Sequence, residues 1–169
     1  MTTYTKDLTK TQTYGNSFCE YKVYQYLLNL QSNTHTKEVY SQVYEVNSDY
    51  VTMEKLNVDY QNLSVDIRKQ LNYEYISSEL DKIGIYHGDF RHHNFGWSEI
   101  DQMWKIYDFA SSGIFKGDDW IMVPSPNIFS DENILPSQYN NYYIDYNDIC
   151  EVFNQFNYSD PYTDPEYSY

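Results

Sequence analysis

Hydrophobic positions recur along this chain with two different periods. Tyr21, Tyr24, Leu27 and Leu28 fall three and four residues apart, the spacing of one helical face. Ser17 precedes that run and Glu20 follows three residues later, the pattern of a capping box, so a helix is predicted over Ser17–Leu30. At about 100° per residue Glu20 falls inside the apolar stripe, an unusual place for a merely solvated acid. Val39–Val46 is rich in Val and Tyr, Asn47-Ser48-Asp49 reads as a turn, and Tyr50–Met53 resumes the strand pattern before Glu54–Asn57 leaves it. From Ser64 helical spacing returns and runs to about Ile83. Ile67, Leu71, Tyr75, Leu80 and Ile83 form its expected buried stripe, and Gly84 its stop. Upstream, residues 1–16 are polar and Thr-rich, with Thr2–Lys6 alternating like a short strand.

Composition narrows the functional classes. At 169 residues the chain suits one domain with a tail. Its 21 tyrosines can build an aromatic core while keeping their hydroxyls bonded or hydrated. A net charge of −14 argues against non-specific binding to nucleic acid or to an anionic membrane. The charge is uneven: no Lys or Arg occurs from Gly117 to Tyr169, where acids recur, so that stretch reads as a solvated face and tail. Cys19 and Cys150 cannot form a disulfide framework of the secreted kind. Neither a signal core nor a membrane-spanning run is visible, and the expectation is a soluble, cytoplasmic protein.

The chemistry is concentrated after the second helix. Ile85-Tyr86-His87-Gly88-Asp89-Phe90-Arg91-His92-His93-Asn94-Phe95 is followed, past a polar turn, by Met103-Trp104-Lys105-Ile106-Tyr107-Asp108-Phe109-Ala110. His87-x-Asp89-x-x-x-x-Asn94 resembles the catalytic loop of protein kinases and the related antibiotic phosphotransferases. Asp108-Phe109-Ala110 resembles their metal-binding Asp-Phe-Gly segment. Each fragment alone is weak; together they stand in the family's order with similar spacing. A zinc site built on His87, His92 and His93 lacks the short paired ligand spacing that such sites use.

The resemblance implies an ATP- and Mg²⁺-dependent phosphotransferase, most simply a minimal protein kinase acting on a hydroxyl. Asp89 would orient or accept the proton of the attacking hydroxyl, and Asn94 and Asp108 would hold Mg²⁺. Arg91 stands where protein kinases place a Lys that touches the transferring phosphate. His87 would pack within the loop and hydrogen-bond its backbone. The Ser17–Leu30 helix takes the place of the helix whose Glu pairs with a strand Lys. Glu20 is therefore the candidate, with the capping box as its alternative role, and Lys6 or Lys10 is its partner. Lys6 is the better choice because Thr2–Lys6 alternates like a strand.

Departures from the family matter as much. Gly15 is the only glycine in the first 83 residues, so no glycine-rich cover for the phosphates is readable. Gly88 replaces the Arg that many protein kinases use to read a phosphorylated activation loop, and Ala110 replaces the segment's Gly. Tyr143–Phe156 resembles the central helix of the kinase lower lobe. The expected fold is α+β and protein-kinase-like, a reduced upper sheet with a truncated helical lower lobe over residues 1–156, followed by a disordered acidic tail over 157–169. The expected partners are a protein substrate or a full kinase. The exposed edge of the sheet invites a cover, for which a second copy of the chain is a candidate. The alternative is a pseudokinase-like binding module or decoy.

Overall fold

The computed structural model describes residues 2–9, 17–32, 37–124, 135–138 and 141. It is a mixed α/β arrangement of small antiparallel sheets and few helices. The upper sheet has strand β1 (Thr3–Asp7) against β3 (Tyr50–Glu54), with β2 (Val43–Val46) on the other side of β3. Helix α1 (Ser17–Ser32) packs on this sheet. Its buried face is Glu20, Val23, Tyr24 and Leu27, while Tyr21 and Leu28 are only partly covered. The helix therefore sits slightly rotated from the face its Tyr and Leu spacing suggests, with Glu20 at the centre. Gln31 docks its far end, accepting from the Val43 amide at 2.9 Å and donating to the Val43 carbonyl at 2.8 Å.

The hairpin turn forms where Asn and Asp foretell it. Asn47 Oδ1 accepts from the amides of Asp49 and Tyr50, an Asx arrangement that reverses the chain. Val39–Val46 is not one continuous strand, however. Val39–Ser41 diverge to pair with the lower hairpin: the Ile106 amide donates to Val39 O at 2.8 Å, and the Ser41 amide to Ile106 O at 3.1 Å. This divergence ties the upper sheet to the lower half. A second tie is the reciprocal pair of backbone bonds between Asn57 and Trp97.

The predicted single helix over 64–83 is two: α2 (Val65–Lys69) and α3 (Tyr73–Ile83). Each has its own N-cap, Ser64 accepting from the Ile67 amide and Asn72 from the Tyr75 amide. A side chain that competes for backbone donors at Asn72 restarts the helix, which rephases the stripe. Ile76 and Leu80 are buried, whereas Tyr75 is exposed. Gly84 ends α3 at φ 79°, as a left-handed C-cap should.

Below this lie β4 (Ile85–Tyr86), β7 (Gly113–Lys116) and β8 (Asp119–Met122) in one sheet, and β5 (Phe95–Ser98) with β6 (Met103–Ile106) in a two-stranded hairpin. Edge-to-face ring contacts at 5.0 Å, Tyr73 to Phe95 and Phe90 to Phe95, fill the space under the loop between β4 and β5. Among the described residues no helix is long and apolar enough to cross a membrane. Lys10, the Tyr143–Phe156 helix and the 157–169 tail lie outside the described residues.

Candidate active site

Strand register explains how residues distant in sequence meet. In the β5–β6 hairpin Phe95 stands opposite Ile106, so Asn94, just before β5, lies beside Tyr107. The Tyr107 amide donates to Asn94 O at 2.9 Å. Asp108 follows directly, and the end of the 87–94 loop thus adjoins the Asp108–Ala110 segment.

The loop is held from several sides. His87 is fully buried. Its Nδ1 accepts from the Asp89 amide at 3.1 Å, which leaves Nε2 to carry the proton and donate to Tyr107 O at 2.9 Å. Burial pushes the His87 ring below the ordinary imidazole value despite nearby Asp108 and Asp89, so it stays neutral. Gly88 has φ 85°, and a Cβ there would lie 2.2 Å from the Ser111 carbonyl oxygen. Glycine at 88 is thus dictated by backbone geometry. Tyr60 and Tyr107 clamp the loop from outside, donating to Phe95 O at 2.6 Å and to His93 O at 2.7 Å.

Asp89 is presented at the mouth of this loop. Asn94 Nδ2 donates to Asp89 Oδ2 at 2.9 Å and to its backbone oxygen at 2.7 Å, and Arg91 Nε reaches Oδ1 at 2.6 Å. Burial alone would raise the Asp89 carboxyl; the bonds from Arg91 and Asn94 and the Arg91 charge outweigh it and hold the group below its ordinary value. Because Asn94 turns its amide nitrogen toward Asp89, its Oδ1 is the end left for a cation.

A second cluster forms on the upper side. Lys6 on β1 places Nζ 2.5 Å from Glu20 Oε1 and 3.3 Å from Asp108 Oδ1. Tyr24 Oη donates to Glu20 at 3.3 Å. Burial alone would lower the Lys6 ammonium, but Asp108 and Glu20 overcome it and raise the group, fixing it as a cation. Burial lifts the Glu20 carboxyl even with Lys6 beside it. Asp108 has φ 65°, a left-handed conformation that non-glycine residues seldom adopt and that clusters at functional sites. It stays partly open to solvent, with 37 % of its side chain exposed.

No protein-family model matches the chain, and no curated protein matches it. Among solved structures it is similar to the kinase PK-1 of Cydia pomonella granulovirus. That likeness has 15 % identity and a TM-score of 0.41, over 70 % of this chain and 46 % of the other. The chain thus spans less than half the length of that kinase.

Beside the Lys6 cluster is a cleft of about 250 Å³ lined by Tyr4, Met53, Glu54, Lys55, Leu56 and Tyr107 among others. Tyr4 is on β1 two residues before Lys6, so both point to one side of the strand. Tyr4 and Tyr107 of its lining are thus neighbours of Lys6 and Asp108 along the chain, although neither of those two side chains lines the cleft itself. Its walls are mainly apolar or aromatic, with backbone of the segment leaving β3 along one edge.

The structure brings Lys6, Glu20 and Asp108 into one cluster and His87, Asp89, Arg91 and Asn94 into another, joined at Asn94–Tyr107. A group that sequence reasoning missed lies behind the cleft. Lys105, 1 % exposed, bridges Glu54 Oε1 at 2.9 Å and Asp101 Oδ2 at 2.6 Å. Asn141 was also missed: its Oδ1 accepts from the His87 amide at 2.7 Å. Asp101 stands only four residues before Lys105, but the partners that give each residue its place, Glu54 for Lys105 and His87 for Asn141, are more than fifty residues away. His92 and His93 contact each other edge to face, and among the described residues no three His, Cys, Asp or Glu side chains converge as a metal cage.

Proposed function

We propose that this chain is an ATP- and Mg²⁺-dependent phosphotransferase of protein-kinase-like fold, acting on a hydroxyl of a protein substrate. The observation that carries this reading is Lys6 Nζ set between buried Glu20 and the left-handed Asp108, next to an Asp89 held by Asn94 and Arg91. Phosphoryl transfer needs positioning and charge neutralisation more than covalent work, and this constellation supplies both.

Each residue then has a task. The cleft beside Tyr4 and Leu56 takes the base, and Lys6 the phosphates. Asp108 and the Oδ1 of Asn94 are hard oxygen donors that would hold Mg²⁺. Bound there, the ion would neutralise charge on the phosphates. Asp89 orients the acceptor hydroxyl and takes its proton as the acceptor oxygen bonds to the γ-phosphorus and the bond to ADP breaks. Arg91, half exposed, can turn from Asp89 to the transferring group.

A second reading is favoured by one feature: β1 is an outer strand of its three-stranded sheet, and Thr3, Tyr4, Thr5 and Asp7 along it are exposed. A pseudokinase-like module that pairs with a full kinase would present such an edge. In the enzyme, the same edge is the place for a covering partner, and a second copy of the chain can supply it. Light scattering across concentration tests the second copy; a strictly monomeric protein with full transferase activity removes the need for one.

A thermal-shift titration separates the two readings, because a ligand that binds the native state stabilises it by mass action. A shift with ATP that requires Mg²⁺ supports the enzyme. No shift at millimolar ATP supports the binding module.

A further inference from the structure

Glu54, the last residue of β3, is fixed at four of its atoms. Its amide donates to Gln42 O at 2.8 Å, and its carbonyl oxygen accepts from Ser41 Oγ at 2.8 Å. Its Oε1 accepts from Lys105 Nζ at 2.9 Å and from the Gln42 amide at 3.3 Å, and its Oε2 from Ser98 Oγ. Ser98 in turn accepts from the Asp101 amide at 3.0 Å, and Asp101 closes the circuit on Lys105. Glu54 and Lys105 are almost wholly buried. A charge pair buried this deeply does little for net stability compared with apolar residues, so its presence asks for an explanation other than stability.

Position supplies one. Glu54 belongs to the upper sheet and begins the segment along the cleft. Lys105 is on β6 of the lower hairpin, three residues before Asp108. The circuit therefore spans the junction between the two halves and connects the base end of the cleft to the strand that presents the metal carboxylate.

We infer that the Glu54–Lys105 circuit is a positioning device that holds the Glu54–Leu56 wall of the cleft at a fixed place over the β5–β6 hairpin. Its buried side chains set how tightly the base is gripped by fixing that wall from behind. This rests on the cleft being a nucleotide site, as proposed above. Wall residues locked by bonds behind them hold a ligand more tightly than loosely supported ones.

The test pairs the double variant Glu54→Gln/Lys105→Met, which removes both charges at similar volume, with the parent protein. Two probes are titrated by calorimetry: adenosine, and tripolyphosphate with Mg²⁺. Hydrogen exchange is followed at the amides of Lys55, Leu56 and Asn57 without ligand. The expected result is adenosine affinity about tenfold weaker and exchange at those amides about tenfold faster, with Mg-tripolyphosphate affinity unchanged. Equal weakening of both probes, or faster exchange across the whole chain, means a purely structural role and overturns the inference. Unchanged adenosine affinity and exchange overturn it as well. Should the double variant not fold, Ser98→Ala, which removes one bond to Glu54 and leaves the charges paired, must show the same selective loss at about threefold. A parent protein that binds neither probe overturns the nucleotide reading and this inference together. A parent that binds both, with no difference in the variants, overturns this inference alone.

Discussion

Lys6 Nζ lies 2.5 Å from Glu20 Oε1, and the two residues come from opposite elements, an outer strand and the face of a helix that is otherwise apolar. Glu20 is 1 % exposed, so its carboxylate depends on Lys6 for compensation. Lys6→Met should therefore destabilise the protein by about 3 kcal/mol, the typical cost of leaving one member of a buried pair alone. Lys6→Met/Glu20→Gln removes both charges and should recover most of that loss. Nucleotide affinity should stay low in both variants, because the ammonium is absent from both. Urea denaturation and Mg-ATP titration, run in parallel, separate the two effects. A double variant as unstable as the single one contradicts the pairing argument.

Asp108→Asn tests the metal carboxylate with little risk to the fold. Asn tolerates a left-handed backbone better than most residues, so φ 65° is retained at small cost. The expected outcome is a urea midpoint close to the parent's and loss of the Mg²⁺-dependent part of ATP binding. Equal Mg-ATP affinity in variant and parent removes Asp108 from the site.

Much of the candidate site was legible in the sequence, because its chemistry is local. His87, Asp89, Arg91 and Asn94 fall within eight residues, and Asp108 follows a strand pattern that makes its placement predictable. The position of Glu20 inside an apolar stripe likewise foretold a buried acid with a partner. What stayed illegible depends on long-range geometry. Glu54 read as the start of a connection, yet it is a nearly fully buried carboxylate whose partner is 51 residues away. Asn72 looked like a helical position because hydrophobic spacing continued past it; its side chain caps a new helix instead. Val39–Ser41 carry strand-forming residues, but which strand they join was decided by the lower hairpin, to which their own pattern does not refer.

Gly88→Ala should be severe for a residue so small. The position has φ 85°, and the added Cβ would stand 2.2 Å from the Ser111 carbonyl oxygen, a backbone atom that cannot swing aside. Strain of this kind costs about 1–3 kcal/mol before any displacement of the 108–111 segment. Chemical denaturation should show at least that loss. A Gly117→Ala control has φ 59° but open space around it, and should lose less.

The buried His87 ring gives stability a pH dependence whose sign can be worked out. Its folded value is depressed, so the unfolded chain takes up a proton as pH falls through about 6.5 while the folded one does not. The contribution is thus fully present above about 6.5 and declines as pH drops toward the folded value, at no more than about 1.4 kcal/mol per pH unit. Urea midpoints at pH 7.5 and 5.5 should differ more in the parent than in His87→Gln. Equal differences in the two proteins mean that His87 is protonated in the folded state.

Asp89→Asn separates binding from transfer. Asp89 is outside the Lys6–Glu20–Asp108 cluster and touches the metal candidate Asn94 only through its amide nitrogen, not through the Oδ1 assigned to the cation. The substitution keeps one oxygen to accept from Arg91 and loses the acceptor for Asn94 Nδ2, which still donates to the backbone oxygen of residue 89 at 2.7 Å, so the loop should hold its shape and Mg-ATP affinity should change by less than about threefold. Phosphoryl transfer should fall by about 10²–10⁴-fold, the usual contribution of a positioned base. The hydroxyl oxygen must lose its proton as its bond to phosphorus forms, and the Asn amide is a far poorer acceptor than a carboxylate. Single-turnover transfer from labelled ATP to a protein acceptor, with the binding titration beside it, reads both quantities. Transfer that survives unaltered in Asp89→Asn shows that the activity does not come from this site, and loss of ATP binding alongside transfer shows that the carboxylate supports the nucleotide rather than the acceptor.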